Sequence, residues 1–296
     1  MSISGQNLTV VIVTLKSENI IDQCINSINQ ELPIIVVENS NNSQFKDRLE
    51  SKYKNIKCIL SKSNLGMGSG NNIGIREAKT DFVLILNPDV LLDTNTLKEL
   101  FSASEQLSDF SILAPLEKRF PNYGIIKEKY ISDIEKEINK DKNHPFKVQW
   151  VDGFAMLLNK KKLEEDVYFD ESFFMYLENN DLCRRITQKG GSVFIVPKAK
   201  INHLSAKTVD KEFENEVELS RNWHWIWSKF YYNKKHSGIL KALRECAPSY
   251  FSSVLKIIFY FLTNNKTKKK IYFNRASGFY NALIGKTSWY RPNLNN

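Results

Sequence analysis

LTVVIVTLKSENIIDQCINSINQELPIIVVEN, residues 8–39, carries the fold in miniature. A β-branched run of strand length, LTVVIVTL, is followed by the amphipathic ENIIDQCINSINQ and then by a second apolar run, PIIVVEN, which reads as strand, helix, strand. The alternation continues outward: SQFKDRLESKY (43–53) as helix, NIKCILS (55–61) as strand, the glycine-rich NLGMGSGNNIGI (64–75) opening a helix, and DFVLILN (81–87) as strand. Repetition at this spacing predicts an α/β fold with a mostly parallel, doubly wound sheet. In such sheets ligands bind beyond the carboxyl ends of the strands, so the residues just past those ends are the ones to inspect.

Three polar sets lie there. Thr14 follows the first strand and Glu38-Asn39-Ser40 the second; short polar side chains at two strand ends can hydrogen-bond a base or ribose, and Asn and Ser equally suit a turn or helix cap. In NLGMGSGNNIG, Gly66, Gly68 and Gly70 permit close backbone approach, and the following helix N-terminus offers free N–H groups to a phosphate. A dinucleotide fingerprint needs GxGxxG directly after the first strand, whereas this chain has GxGxG after the third, which disfavours a dehydrogenase. Asn87-Pro88-Asp89 runs out of the strand FVLIL, placing a hard oxygen ligand where a diphosphate-bound Mg²⁺ or Mn²⁺ would sit. The other reading is a proline turn whose Asp caps the next helix.

Further along, FFMYLENNDLCRR (173–185) sets Glu178 and Asp181 three residues apart, on one face if helical. They can converge on one substrate group for proton transfer, or form a solvated face paired with Arg184 and Arg185.

The chain's 296 residues, 42% of them apolar, suffice for a sizeable core in one large domain or a domain with an appendage. Cys24, Cys58, Cys183 and Cys246 are far apart with no CxxC pair, so reduced thiols are expected rather than a zinc knuckle or disulfide framework. The start MSISGQNLTVVIVTL lacks the pattern of a signal peptide. The net charge of +9 is uneven: residues 1–204 carry 26 Lys and Arg against 27 Asp and Glu, and residues 205–296 carry 16 against 6. A near-neutral body with a basic tail points to an anionic partner surface.

The ordered series VVIVTL, VVENS, NLGMGSGNNIG, LILNPDV, WVDGFAMLLNKKKL, FFMYLENNDLCRR and INHLS, over roughly residues 8–235, resembles the inverting family-2 glycosyltransferases with a GT-A fold, particularly the rhamnosyltransferase-like members that build bacterial surface polysaccharides. The resemblance implies that Thr14, Glu38 and Asn39 contact the nucleotide, that Asn64, Gly66 and Asn72 belong to its nucleotide-sugar loop, and that Asn87 and Asp89 match its Asp-x-Asp metal motif with Asn in first place. Asp89 and His203 would then hold a divalent Mg or Mn ion, and Asp152, Gly153 and Asn179 would face the donor sugar and acceptor. The usual pattern at 178–181 is Glu-Asp-x-Asp with its first Asp as base. Here the order is Glu178-Asn179-Asn180-Asp181, and a neutral amide cannot act as base. Glu178 or Asp181 is expected to take the role, the alternative being a catalytically impaired binding subunit. The donor expected from the resemblance is dTDP-rhamnose, then a UDP-hexose; the acceptor is a saccharide or lipid-linked saccharide.

The expected organisation is a catalytic domain over 1–235, divided into 1–115 for the nucleotide sugar and 116–235 for the acceptor, and a basic, mainly helical extension over 236–296. The polar stretch Glu117–Lys147 reads as a loop closing over the site, or as a solvated insertion. RNWHWIWSKFYYNKKH (221–236) mixes aromatics with cations in the manner of a membrane interface. In PSYFSSVLKIIFYFLTNNKTKKK (248–270), Phe251, Val254, Leu255, Ile258, Phe261 and Leu262 share one face, opposite Ser249, Ser253, Lys256 and Thr263. The run is short for a membrane span, so an interfacial helix on an anionic membrane is expected, peripheral on the cytoplasmic face; packing on the catalytic domain or a homodimer contact are the alternatives. Nucleic-acid binding by the tail would leave the NPD and ENND elements idle, and no nucleic-acid partner is expected.

Overall fold

The computed structural model describes residues 6–124, 143–163, 168–204 and 213–293. The chain forms two compact units, Met1–Asp170 with Asn179–Thr208, and Glu171–Glu178 with Val209–Asn296. Residues 125–142, most of the stretch read as a closing loop, lie outside the described residues.

The first unit is built on strands β1 (Leu8–Thr14), β2 (Ile34–Glu38), β3 (Ile56–Leu60) and β4 (Phe82–Leu86), all parallel, in the order β3-β2-β1-β4. Helices α1 (Ile21–Asn26), α2 (Ser43–Lys52) and α3 (Met67–Glu77) connect them. Every residue of β1 is buried. Val10 and Ile12 enter one core while Val11 and Val13 enter the other, so the strand reads as continuously apolar because both sheet faces are covered. Helix α3 lies tight on β1: a Cβ on Gly74 would come 2.3 Å from Val11 Cγ1, and one on Gly70 2.8 Å from Val13 Cγ1.

After β5 (Val90–Leu92), α4 (Thr96–Gln106), β6 (Phe110–Glu117) and the short β7 (Tyr123–Gly124), β8 (Phe146–Val148) and β9 (Trp150–Val151), strand β10 (Ala155–Asn159) enters antiparallel between β4 and β6. Helix α5 (Glu178–Gln188) leads to the long β11 (Ser192–His203), parallel to β6 and antiparallel to β5 and β8. The expected α/β sheet is thus present, among the described residues as nine strands in mixed orientation with its parallel ladder β3-β2-β1-β4 at one side.

Helix α1 is shorter than its amphipathic run predicts. Ser27 Oγ donates to the Cys24 carbonyl at 2.7 Å, and Gln30 Nε2 donates to the carbonyls of Ile25 and Ile28 at 2.9 Å, taking acceptors that another helical turn would use.

The second unit contains α6 (Glu214–Leu262), interrupted at Gly238 (φ 84, ψ 169), and α7 (Lys266–Leu283). Its core overturns the interface reading of residues 221–236: Trp223, Ile226, Trp227 and Phe230 are buried, with Phe279 and Ala282 of α7 in the same cluster. Trp223 stacks on Trp227 and Tyr290, and Gly278 lets α7 approach so closely that a Cβ there would lie 2.3 Å from the Trp223 carbonyl oxygen. Indoles that supply this much apolar area are better placed in a core than at a surface when a partner helix can cover them.

His224 sits in the same core. Its Nε2 lies 2.8 Å from the Tyr290 carbonyl, to which it must donate, so Nδ1 of the neutral ring accepts from Ser288 Oγ at 3.0 Å. Burial pushes its pKa down to about 4. The unfolded chain therefore takes up a proton near pH 6.5 that the folded unit resists until about pH 4, and stability is lost as pH falls through that window, by about 3 kcal/mol. Urea melts at stepped pH should show this loss in the wild type and a flattened profile in His224→Gln; equal slopes would contradict it.

Candidate active site

The parallel ladder brings its strand ends to one edge. Thr14 pairs with Glu38, Glu38 with Leu60, and Ile12 with Leu86, so Thr14, Glu38-Asn39, Ser61 and Asn87-Pro88-Asp89 emerge together. Strand β10 runs the other way, with Ala155 opposite Leu86, which places Asp152-Gly153-Phe154 at the same edge. At the far end of β11, His203 pairs with Val90.

The first cluster is closely hydrogen-bonded. Glu38 is buried, with Oε2 accepting from Thr14 Oγ1 at 2.6 Å and Oε1 from the Ser40 backbone N–H at 2.6 Å and from the Ser40 hydroxyl. Asn39 Nδ2 donates to the Gly66 carbonyl at 3.1 Å, joining β2 to the glycine loop. Gly66 has φ 83, in the left-handed region that favours glycine, and its N–H donates to Asn64 Oδ1 at 3.1 Å. Asn72 is turned elsewhere: it donates to the Phe169 carbonyl at 2.8 Å and accepts from the Phe169 N–H at 3.0 Å, clamping a segment 97 residues away in sequence.

Asp89 is 3% exposed, and its Oδ2 lies 3.2 Å from His203 Nε2. The other oxygen, Oδ1, and Asn87 Oδ1 are buried without a hydrogen-bond partner. Orphaned buried oxygens are costly unless something binds them. Two hard oxygens and an imidazole beside a strand end are a donor set that fits a divalent cation. Among the described residues no group of three His, Cys, Asp or Glu side chains could hold a metal by itself. His203 is fixed by two residues that sequence reasoning gave no role: Glu117 Oε2 accepts from its backbone N–H at 2.7 Å, and Phe154 stacks on its ring at 4.4 Å. Their only signal was position, at the end of one strand and just before another. Asp152 is raised above the ordinary carboxylate range by burial, with His203 opposing the shift.

At α5, Asn179 Nδ2 donates to the Val151 carbonyl at 2.6 Å, and Gly153 lies against it: a Cβ on Gly153 would be 3.3 Å from Asn179 Cβ. Asp181 is fully buried, with Oδ2 2.8 Å from Arg185 Nε, and Arg185 donates onward to the Tyr168 carbonyl. The solvated face considered for this helix is therefore a buried ion pair at Asp181, with Arg185 as partner. Glu178 opens the helix in a different condition. The residue is part-exposed, but its Oε2 is buried with no partner, and burial of the carboxyl pushes its pKa up to about 7. The two residues before it, Tyr176 (φ 71) and Leu177 (φ 67), both hold the left-handed conformation. Strain of this kind costs about 1–3 kcal/mol per residue and gathers at functional sites.

The family profile of Glycosyl transferase family 2 matches residues 9–167, from β1 through the Asn87–Asp89 turn and β10. This chain belongs to that family. The match stops before α5 and His203, so the family-2 profile covers the strand ends from β1 to Asp152-Gly153 but not Glu178. The chain is 31% identical over 193 residues to the low-salt glycan biosynthesis hexosyltransferase Agl10 of Haloferax volcanii, covering 60% of this chain and 61% of that protein. It is 26% identical over 239 residues to the rhamnosyltransferase WbbL of Escherichia coli K12, covering 73% and 88%. Among solved structures it resembles GalNAc-T7 crystallised with UDP, GalNAc and Mn²⁺, with a TM-score of 0.56 at 16% identity over 81% of this chain and 54% of that one. The matched part thus spans less than two thirds of Agl10 and of GalNAc-T7. The fold shared with such structures is GT-A.

Proposed function

We propose that this family-2 protein transfers a hexosyl unit, with inversion, from a nucleotide-sugar donor to a saccharide or lipid-linked saccharide at the cytoplasmic face of a membrane. The observation that carries the reading is the pair of orphaned oxygens on Asn87 and Asp89 at the carboxyl edge of the parallel ladder. The nucleotide lies along Thr14, Glu38-Asn39 and the Asn64–Gly66 loop, where Thr14 and Ser40 hold the Glu38 carboxylate in place. Asn87, Asp89 and His203 would hold Mg²⁺ or Mn²⁺, which when bound would supply positive charge to offset that of the leaving diphosphate. Asp152 and Gly153 flank the donor sugar.

Glu178 takes the proton from the acceptor hydroxyl. Asp181 is committed to Arg185 and Asn179 to the Val151 carbonyl, and a carboxylate titrating near 7 is matched to that task. dTDP-rhamnose is the first donor to test and a UDP-hexose the second, the relatives named as rhamnosyltransferase and hexosyltransferase supporting both. Thermal-shift measurements with nucleotide sugars should raise the Tm by about 5 °C at saturation with Mn²⁺ present, and not after chelation. NMR of the product with a panel of acceptors should then show the opposite anomer to the donor. No shift with any donor in Mn²⁺ would sink the reading, and a shift without transfer would reduce the protein to a binding subunit.

A further inference from the structure

After Gly238, α6 is an amphipathic helix turned inside out. Its buried side chains, Ala242, Cys246 and Ser253, are small, at helical spacing, and include a hydroxyl; Leu243 and Tyr250 pack against the core of the unit, while most of the large apolar ones beyond them face solvent. Phe251, Leu255, Ile258, Phe259, Phe261 and Leu262 are between 53% and 77% exposed, and Phe273 of α7 adds to the same end of the hairpin. A contiguous apolar surface on this scale, left in water, marks a contact site.

The arms of the hairpin are joined by Tyr260 stacked on Tyr272 at 5.6 Å. Cations lie over these rings: Lys256 over Tyr272 at 4.8 Å, Lys268 over Tyr260 at 5.4 Å and Lys269 over Phe261 at 5.3 Å. Their stems cover aromatic surface while the ammonium groups form a collar around the apolar tip, together with Lys266 and Lys270. Beyond Glu245 the sequence has no acidic residue. A second copy docked on this surface would set lysine collar against lysine collar. An anionic lipid surface supplies both the apolar acyl region and the countercharge. Among the described residues no helix is long and apolar enough to cross a membrane, so the contact is interfacial.

We infer that the tip of the α6–α7 hairpin inserts into the headgroup region of an anionic bilayer, with Phe251, Leu255, Ile258, Phe261 and Leu262 as the wedge and Lys256 with Lys266–Lys270 as the collar. This rests on the glycosyltransferase reading only for its purpose, which is to bring a lipid-linked acceptor to the enzyme. Trp223 and Trp227 of the stretch 221–236 take no part, because they are buried in the core of their own unit.

The test is co-sedimentation of the full chain with vesicles of phosphatidylcholine, with and without phosphatidylglycerol. Binding should be about tenfold or more stronger with the anionic lipid and should fall as salt rises. Leu255→Asp/Leu262→Asp should weaken it by about tenfold or more, and Lys268→Glu/Lys269→Glu should do so as well. Leu255, Leu262 and Lys268 are exposed and Lys269 is half-buried, and unchanged circular dichroism confirms that each variant is folded. Equal binding to neutral vesicles, an undiminished Leu255→Asp/Leu262→Asp variant, or a soluble dimer that this variant dissociates would each overturn the docking. Nucleotide-sugar binding measured on the same samples separates the two readings: donor binding without vesicle binding defeats the wedge alone, and vesicle binding without any donor binding defeats the transferase alone.

Discussion

Glu178→Gln is expected to lower the transfer rate by about 10³-fold while donor binding changes less than about twofold. The amide keeps the shape of the side chain and removes its only proton acceptor of suitable basicity. The wild-type rate should fall below an acid limb at about pH 7, where Glu178 takes up its proton, and the variant should lose that limb. Stability supplies an independent readout. Because the folded pKa lies above the ordinary 4.5, the folded state holds a proton that the unfolded chain releases between about pH 4.5 and 7. Stability therefore declines as pH rises through that window, by about 3 kcal/mol, and stays low above it. Glu178→Gln should be the more stable protein at pH 8, so lost activity cannot be put down to unfolding. Asn179→Asp should not rescue it, since a carboxylate oxygen would face the Val151 carbonyl across 2.6 Å, where an amide now donates. A normal rate in Glu178→Gln, or recovery in the double variant, would remove Glu178 from the mechanism.

Asp89→Asn is expected to reduce kcat/KM by about 10³-fold, equivalent to about 4 kcal/mol of transition-state stabilisation, and to abolish the Mn²⁺-dependent part of the donor thermal shift. The charge of Asp89 is held in a buried turn with one oxygen unsatisfied and the other against His203. Neutralising it removes the principal ligand and also relieves a buried charge. In the absence of metal and donor the variant should melt no lower than the wild type. A large fall in Tm without metal would show that Asp89 serves the fold through His203, and an intact Mn²⁺ dependence would move the metal elsewhere.

Much of the first unit was legible because its strands are buried on both faces. Such strands become unbroken β-branched runs, and parallel pairing requires a helix between each, so β1 to β4 and the emergence of Asn87-Pro88-Asp89 from β4 could be read directly. The glycine-rich stretch was legible only in part. Gly66 serves a left-handed turn, but Gly70 and Gly74 admit the side chains of Val13 and Val11, a need set by a strand more than fifty residues earlier. Asn72 is similar, since its partner Phe169 lies in a segment that nothing local connects to it.

The sequence by itself determined the order of strands and helices from β1 to β4, the family and which polar residues leave the ends of those strands, because periodicity, turn chemistry and motif order are local properties of the chain. Only the tertiary structure decided which of those residues remain unengaged. Asp181 and Glu178 look alike in the string ENND, yet one faces Arg185 in a buried ion pair and the other holds an unsatisfied oxygen with its pKa near 7. The same holds for α6: periodicity says which residues share a face, but whether that face is covered depends on what packs against it. Beyond Gly238 the small residues Ala242, Cys246 and Ser253 went inward, and Phe251, Leu255, Phe259, Phe261 and Leu262 were left outside.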